Sequence, residues 1–320
     1  MSPKPHSRDR RPNGFAALFS GLKSALQWRL LLWWLLALGL PTLLFALPLW
    51  SGLQAQFGHS VHAADIATGR NVPMLVEGFA GLGDDGGGKA VSFGMLSAIA
   101  LALLLTPWLT GMAVAAIRAG RTLRMGELAH GGLAEYLRML RLLLWSLIPL
   151  GVAFAVAAGL LALVDKRAET AILASEVEHS RYLAIAVAAV LFVVAHSTIE
   201  AARGWLGAEA SLRSIFRAWW RGTKLVFKRP LATLVVYLGS SLVGYALAAL
   251  CGYLRIGADG AGLGAFLLGF VLTQATVVAL AWGRIARLYG FAALAQGHIA
   301  AKTNAEADAS LEPVASESAG

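Results

Sequence analysis

Six long apolar runs constrain this chain more than any other feature. They fall at roughly residues 30–50, 91–117, 143–164, 182–202, 231–253 and 262–283. A helix needs about 20 apolar residues to cross a hydrocarbon core about 30 Å thick, and each run is long enough. Backbone amides in lipid must be satisfied within the segment, so spanning runs of this length are helices. Composition agrees: 58% of residues are hydrophobic and 14% charged, where soluble domains sit near roughly 45–50% and about 25%. An ordinary soluble enzyme and a wholly disordered chain are both excluded. Trp28, Trp33, Trp34 and Trp50 mark both ends of the first run, as aromatic belts do at membrane interfaces. Pro41, Pro107 and Pro149 lie inside runs and predict kinks where neighbouring helices or water serve the freed carbonyls.

Basic residues set the orientation. Lys and Arg number six before the first run, five in 118–141, seven in 203–229 and three from Arg284 onward, which is 21 of the 27. The remaining connections, near 51–90, 165–181 and 254–261, hold two, three and one, while acidic residues divide nine and nine. The positive-inside rule then places both termini in the cytoplasm and those three loops outside. The first run is long for a cleaved signal, no clear A-x-A site follows it, and Arg10–Arg11 stand too far upstream for a twin-arginine signal. Residues 1–14 read as a disordered basic arm, 15–300 as one six-span domain and 301–320 as a disordered acidic tail. The single cysteine, Cys251, lies at the end of an apolar run and reads as a buried, inert thiol.

The cytoplasmic connections carry their own pattern. Leu212, Ile215, Phe216, Trp219, Trp220, Val226 and Phe227 recur at helical spacing, with Arg213, Arg217, Arg221, Lys224 and Lys228 opposite. This predicts an amphipathic helix over 211–228 lying in the interface, its cations at anionic lipid headgroups. Shorter versions precede the third span (Leu133, Tyr136, Leu137 and Leu140 against Arg138 and Arg141) and the first (Phe15, Leu18, Phe19 and Leu22 against Lys23 and Arg29). The expected fold is therefore all-α: a polytopic membrane protein of six transmembrane helices with three cytoplasmic interfacial amphipathic helices, arranged as three units of interfacial helix plus transmembrane hairpin. Trp219 and Trp220 fall on the apolar face, where lipid accounts for them, so no nucleic-acid partner is expected.

Few motifs resemble chemistry. Gly83 to Lys89 falls one residue short of a phosphate-binding loop, since Ala90 stands where the magnesium-binding hydroxyl belongs. Gly81, Gly83 and Gly86 match a dinucleotide fingerprint without the strand it needs. His59, His62 and Asp65 have ligand-like spacing but no third nitrogen or sulfur nearby; His179 with Glu176 and Glu178 belongs to the next outer loop. No metal or cofactor is expected. The richer cluster is His196, Glu200 and Arg203, spaced to share one helix face at the inner end of the fourth span. Arg284 and Arg287, at the matching end of the sixth, can reach it. An acid at that depth needs a partner or water. An ion-pair clasp and a proton or substrate site both satisfy that need. Gln274, with Thr273 and Thr276, gives the sixth span a polar face, and Gly260 with Gly264 permits close helix packing.

Glu200, Ala202–Arg203, Glu209, the basic amphipathic helix and Lys228–Arg229–Pro230, followed by Arg284, Arg287, Leu288 and Tyr289, resemble a loose family of six-span bacterial membrane proteins. Its members are mostly uncharacterised and include the membrane domain beside the catalytic domain of some bacterial glycerophosphodiester phosphodiesterases. The resemblance covers residues 90–295 and implies architecture and a bacterial cytoplasmic membrane, with no catalytic domain. The leading functional expectation is a non-enzymatic envelope protein with a scaffold, lipid-associated or assembly role. Its partners would be membrane lipids, chiefly anionic headgroups at the cytoplasmic leaflet, and another membrane protein. The alternative is a small-solute transporter or channel with a polar path through His196, Glu200 and Gln274. A membrane-embedded enzyme comes third, because no nucleophile–base pair is visible.

Overall fold

The computed structural model describes residues 12–62, 72–81, 87–169, 174–257 and 262–317. Every regular element among them is an α-helix: α1 (Gly14–Ser24), α2 (Trp28–Phe57), α3 (Val72–Gly81), α4 (Gly87–Ala119), α5 (Met125–Ala168), α6 (Ala174–Ala208), α7 (Ile215–Lys228), α8 (Pro230–Ile256) and α9 (Leu263–Glu317). Six of them, α2, α4, α5, α6, α8 and α9, are long and apolar enough to cross a membrane. These six contain the six apolar runs. Helices α2, α4 and α5 pass through their internal prolines without ending.

Local chemistry sets several boundaries. Asn13 caps α1 by accepting from the Ala16 amide at 2.7 Å, which satisfies an orphan donor of the first turn. Gly120 closes α4 with φ 60°, a conformation that favours glycine. Pro230 opens α8 at its first turn, where its missing N–H costs nothing, and forces α7 to stop beforehand.

Three expectations change. The segment preceding the third span is no separate helix, because α5 runs unbroken from Met125 to Ala168. Residues 125–148 are mostly Leu, Ala, Glu, Arg and Met with no proline, and strong helix formers propagate a helix that nothing breaks. Residues 301–317, read as a disordered tail, continue α9. Their Ala-rich stretch favours helix, and Lys302 meets Glu306 one turn on at 3.4 Å. The amphipathic helix starts at Ile215 rather than 211, with Ser214 as its cap.

The core sits at one end of the bundle, the end bearing the basic connections. Leu109, Met112, Leu128 and Ile285 form one cluster. Ala17, Val226 and Phe291 belong to a second, and Leu142, Leu206 and Leu212 to a third. Toward the other end the spans expose Leu47, Phe93, Leu163, Leu183, Tyr253 and Phe266, an apolar belt that suits lipid rather than water. Glycine permits the tightest contacts of the packed end. A Cβ on Gly222 of α7 would lie 2.7 Å from the Ala202 nitrogen of α6, and one on Gly283 would lie 2.9 Å from the Ser240 carbonyl oxygen of α8. The expected glycine contact at the start of the sixth span differs: Gly264 faces open space, and Gly260 lies outside the described residues. Arg118 ties the same end together, pairing with Glu135 at 2.5 Å and donating to the Leu206 carbonyl oxygen.

Candidate functional site: an arginine-lined cavity between the spans

Helical spacing puts His196, Glu200 and Arg203 on one face of α6. Glu200 is fully buried. Arg203 donates to its Oε1, and His196 Nε2 stands 3.7 Å from the same oxygen. From α9, Arg287 brings Nε to 3.5 Å from Glu200 Oε2. Of the two arginines that the sequence placed within reach of Glu200 from the sixth span, Arg287 is the one that approaches it. Arg284 takes a different course: its guanidinium lies over the Trp34 ring of α2, 5.4 Å from the centroid, a cation–π contact.

Helix α8 supplies groups that periodicity did not flag. The Tyr237 hydroxyl hydrogen-bonds His196 Nδ1 at 2.8 Å, and Arg287 Nη1 donates to Ser241 Oγ at 2.9 Å while lying 5.1 Å from the Tyr237 ring centroid. Tyr237 and Ser241 are four apart in a span that also carries Thr233, Ser240 and Tyr245. Spacing within α8 does not single them out from those neighbours.

Beside these groups lies a cavity of about 750 Å³, with His196, Arg203, Tyr237, Ser241, Arg284 and Arg287 on its polar side. Leu103 of α4 and Leu143 and Leu150 of α5 form its apolar side. The Ser241 hydroxyl already donates to the Tyr237 carbonyl oxygen at 2.7 Å, so it faces Arg287 as an acceptor. What the cavity offers is cationic and hydroxylic, which suits holding an oxyanion. Gln274 is absent from it. It stands thirteen residues before Arg287, about 20 Å along the helix axis.

The basic helix α7 has three faces rather than two. Ala218, Gly222, Leu225 and Val226 are buried, and Gly222 meets α6. Phe216, Trp220 and Phe227 are exposed. Arg217, Lys224 and Lys228 are exposed beside them. Trp219 belongs to the protein rather than to lipid: its Nε1 donates to Thr198 Oγ1 at 3.2 Å, and its ring meets Trp145 edge-on at 5.6 Å. Arg221 pairs with Glu209 at 2.5 Å and lies over Trp205, while Arg213 precedes the helix and is exposed. Arg138, on the polar side of the segment before the third span, pairs with Glu135 at 2.7 Å. Cys251 is half-buried.

His59 and His62 are exposed; Asp65 and Gly83 to Gly86 lie outside the described residues. Among the described residues no three His, Cys, Asp or Glu side chains converge on a metal-sized site. No family model matches the chain, and no curated protein or solved structure is significantly similar to it.

Proposed function

We propose that this is a non-enzymatic, lipid-associated protein of a bacterial cytoplasmic membrane, with both termini in the cytoplasm and a scaffold or assembly role there. The observation that carries the reading is the division of α7. Its buried edge fastens it to α6, which leaves Phe216, Trp220 and Phe227 beside Arg217, Lys224 and Lys228 on the outer surface. Aromatics flanked by cations at the end of a bundle suit the boundary between acyl chains and anionic headgroups. Helix α1 repeats the arrangement on a smaller scale, burying Ala17, Leu18 and Gly21 and exposing Phe15 and Phe19. The 21-to-6 distribution of basic residues supports the orientation, and the resemblance to six-span bacterial membrane proteins supports the compartment.

The test is lipid selection by the whole protein. Full-length protein in nanodiscs of mixed phosphatidylglycerol and phosphatidylcholine is ejected into a mass spectrometer, and the composition of its lipid shell is compared with the bulk. Enrichment of phosphatidylglycerol at low salt, weaker at high salt and in an Arg217→Gln, Lys224→Gln, Lys228→Gln triple variant, is expected. A shell of bulk composition in the wild type would refute the reading.

A further inference from the structure

The charges around Glu200 do not balance. Three guanidinium groups, Arg203, Arg284 and Arg287, line the cavity, and among the described residues Glu200 is the carboxylate paired with Arg203 and Arg287. Arginine stays protonated in proteins, so the cluster holds more positive than negative charge. Arg284 shows the deficit best. Its guanidinium lies over the Trp34 ring, 5.4 Å from the centroid, with Arg203, Arg287 and Tyr245 lining the same cavity, while the ion pairs of Glu200 go to His196, Arg203 and Arg287. Cations at this depth are costly unless an anion or water meets them. One oxygen of Glu200 accepts from Arg203; the other lies 3.5 Å from Arg287 Nε without a hydrogen bond, so both atoms of that second contact are buried and unsatisfied.

The walls of the cavity indicate how such an anion arrives. The α5 wall carries Leu143, Ser146 and Leu150, and the α8 wall Tyr237, Leu238 and Tyr245. Helix α8 packs on α9 and α1, and makes no extended contact with α4 or α5. Leu238 and Tyr245 are exposed on this side, so the gap faces the hydrocarbon. A small hydrated ion gains nothing from an apolar entrance, whereas an amphiphile brings its charged head and apolar tail together. The depth also fits, because Arg284 and Arg287 directly follow the last apolar run.

We infer that the cavity is a binding site for the phosphate-bearing headgroup of an anionic membrane lipid, held between Arg284 and Arg287 with its acyl chains leaving between α5 and α8. Guanidinium forks match phosphate oxygens in pairs, a geometry that lysine does not reproduce. The site is separate from α7, so lipid selection by the protein surface and retention of one lipid inside the bundle can succeed or fail independently.

The experiment uses delipidated full-length protein in neutral detergent, titrated with phosphatidylglycerol, phosphatidylcholine or inorganic phosphate. Binding is read by native mass spectrometry and thermal stability. One phosphatidylglycerol per chain should survive detergent exchange. Its affinity should fall at least tenfold in Arg284→Gln and in Arg287→Gln, and stay unchanged in Lys302→Gln, an exposed lysine outside the cavity. Unchanged affinity in both arginine variants overturns the site. Equal affinity for phosphatidylcholine overturns the charge argument, and equal stabilisation by inorganic phosphate overturns the lipid in favour of a free anion. If the arginine variants do not fold, a photoreactive phosphatidylglycerol on the wild type decides. Adducts within 143–150 and 238–245 are expected, and adducts confined to α1 and α7 overturn the proposal.

Discussion

Glu200 joins two spanning helices through one side chain. Its Oε1 serves Arg203 on α6 and its Oε2 faces Arg287 on α9. Breaking a buried pair leaves an uncompensated charge and typically costs about 3–5 kcal/mol. Glu200→Ala should therefore lower the melting temperature of detergent-purified protein, and Glu200→Gln, which keeps shape and some hydrogen bonds, should lower it less. If both variants melt with the wild type, the clasp is wrong. His196 is a second residue-scale test. Its Nδ1 meets the Tyr237 hydroxyl, so Tyr237→Phe removes one hydrogen bond and should cost about 1 kcal/mol, measured by the same melts. No loss would mean that this bond contributes nothing. The α6 part of the cluster was legible because three- and four-residue spacings place side chains together on any helix. Tyr237 and Ser241 were not, because their neighbours come from α6 and α9, and no spacing within one helix reports how a second approaches it.

At the scale of elements, α7 is held by close packing at one small residue. A Cβ on Gly222 would meet backbone atoms of Thr198 and Ala202, which cannot move aside as a flexible side chain can. Gly222→Val should lift α7 from α6 at a cost of about 1–3 kcal/mol, seen as faster proteolysis near Arg213–Arg217. Proteolysis at the wild-type rate would show that the contact is unimportant. A synthetic peptide of residues 211–228 should prefer anionic over neutral vesicles, by about 1 kcal/mol for each basic residue near the surface. Equal affinity for both would remove the electrostatic part. The sequence predicted this helix from its periodicity, yet assigned Trp219 to lipid. Periodicity separates apolar from polar faces, but it cannot divide an apolar face between protein and membrane. It also set the basic segment before the third span apart as a separate interfacial helix. With no proline between Met125 and Ile148, the two became one helix.

For the whole molecule, the number and position of the spans were legible because hydrocarbon imposes a minimum length that few sequences meet by chance. Less legible was the concentration of the core at one end, where α1, α7 and the extensions of α5, α6 and α9 converge. That convergence depends on glycine contacts between helices distant in sequence. The same end carries the exposed cations of α7 and the cavity arginines, so the proposed role requires that end to face the cytoplasm. Cysteine accessibility tests that requirement most directly. In a Cys251→Ala background, Glu178→Cys and Lys228→Cys are introduced singly and intact cells, with the outer membrane made permeable, are treated with a membrane-impermeant maleimide. The account predicts labelling of Glu178→Cys in intact cells and of Lys228→Cys only after the inner membrane is opened. Labelling of Lys228→Cys in intact cells, with Glu178→Cys protected, would contradict it.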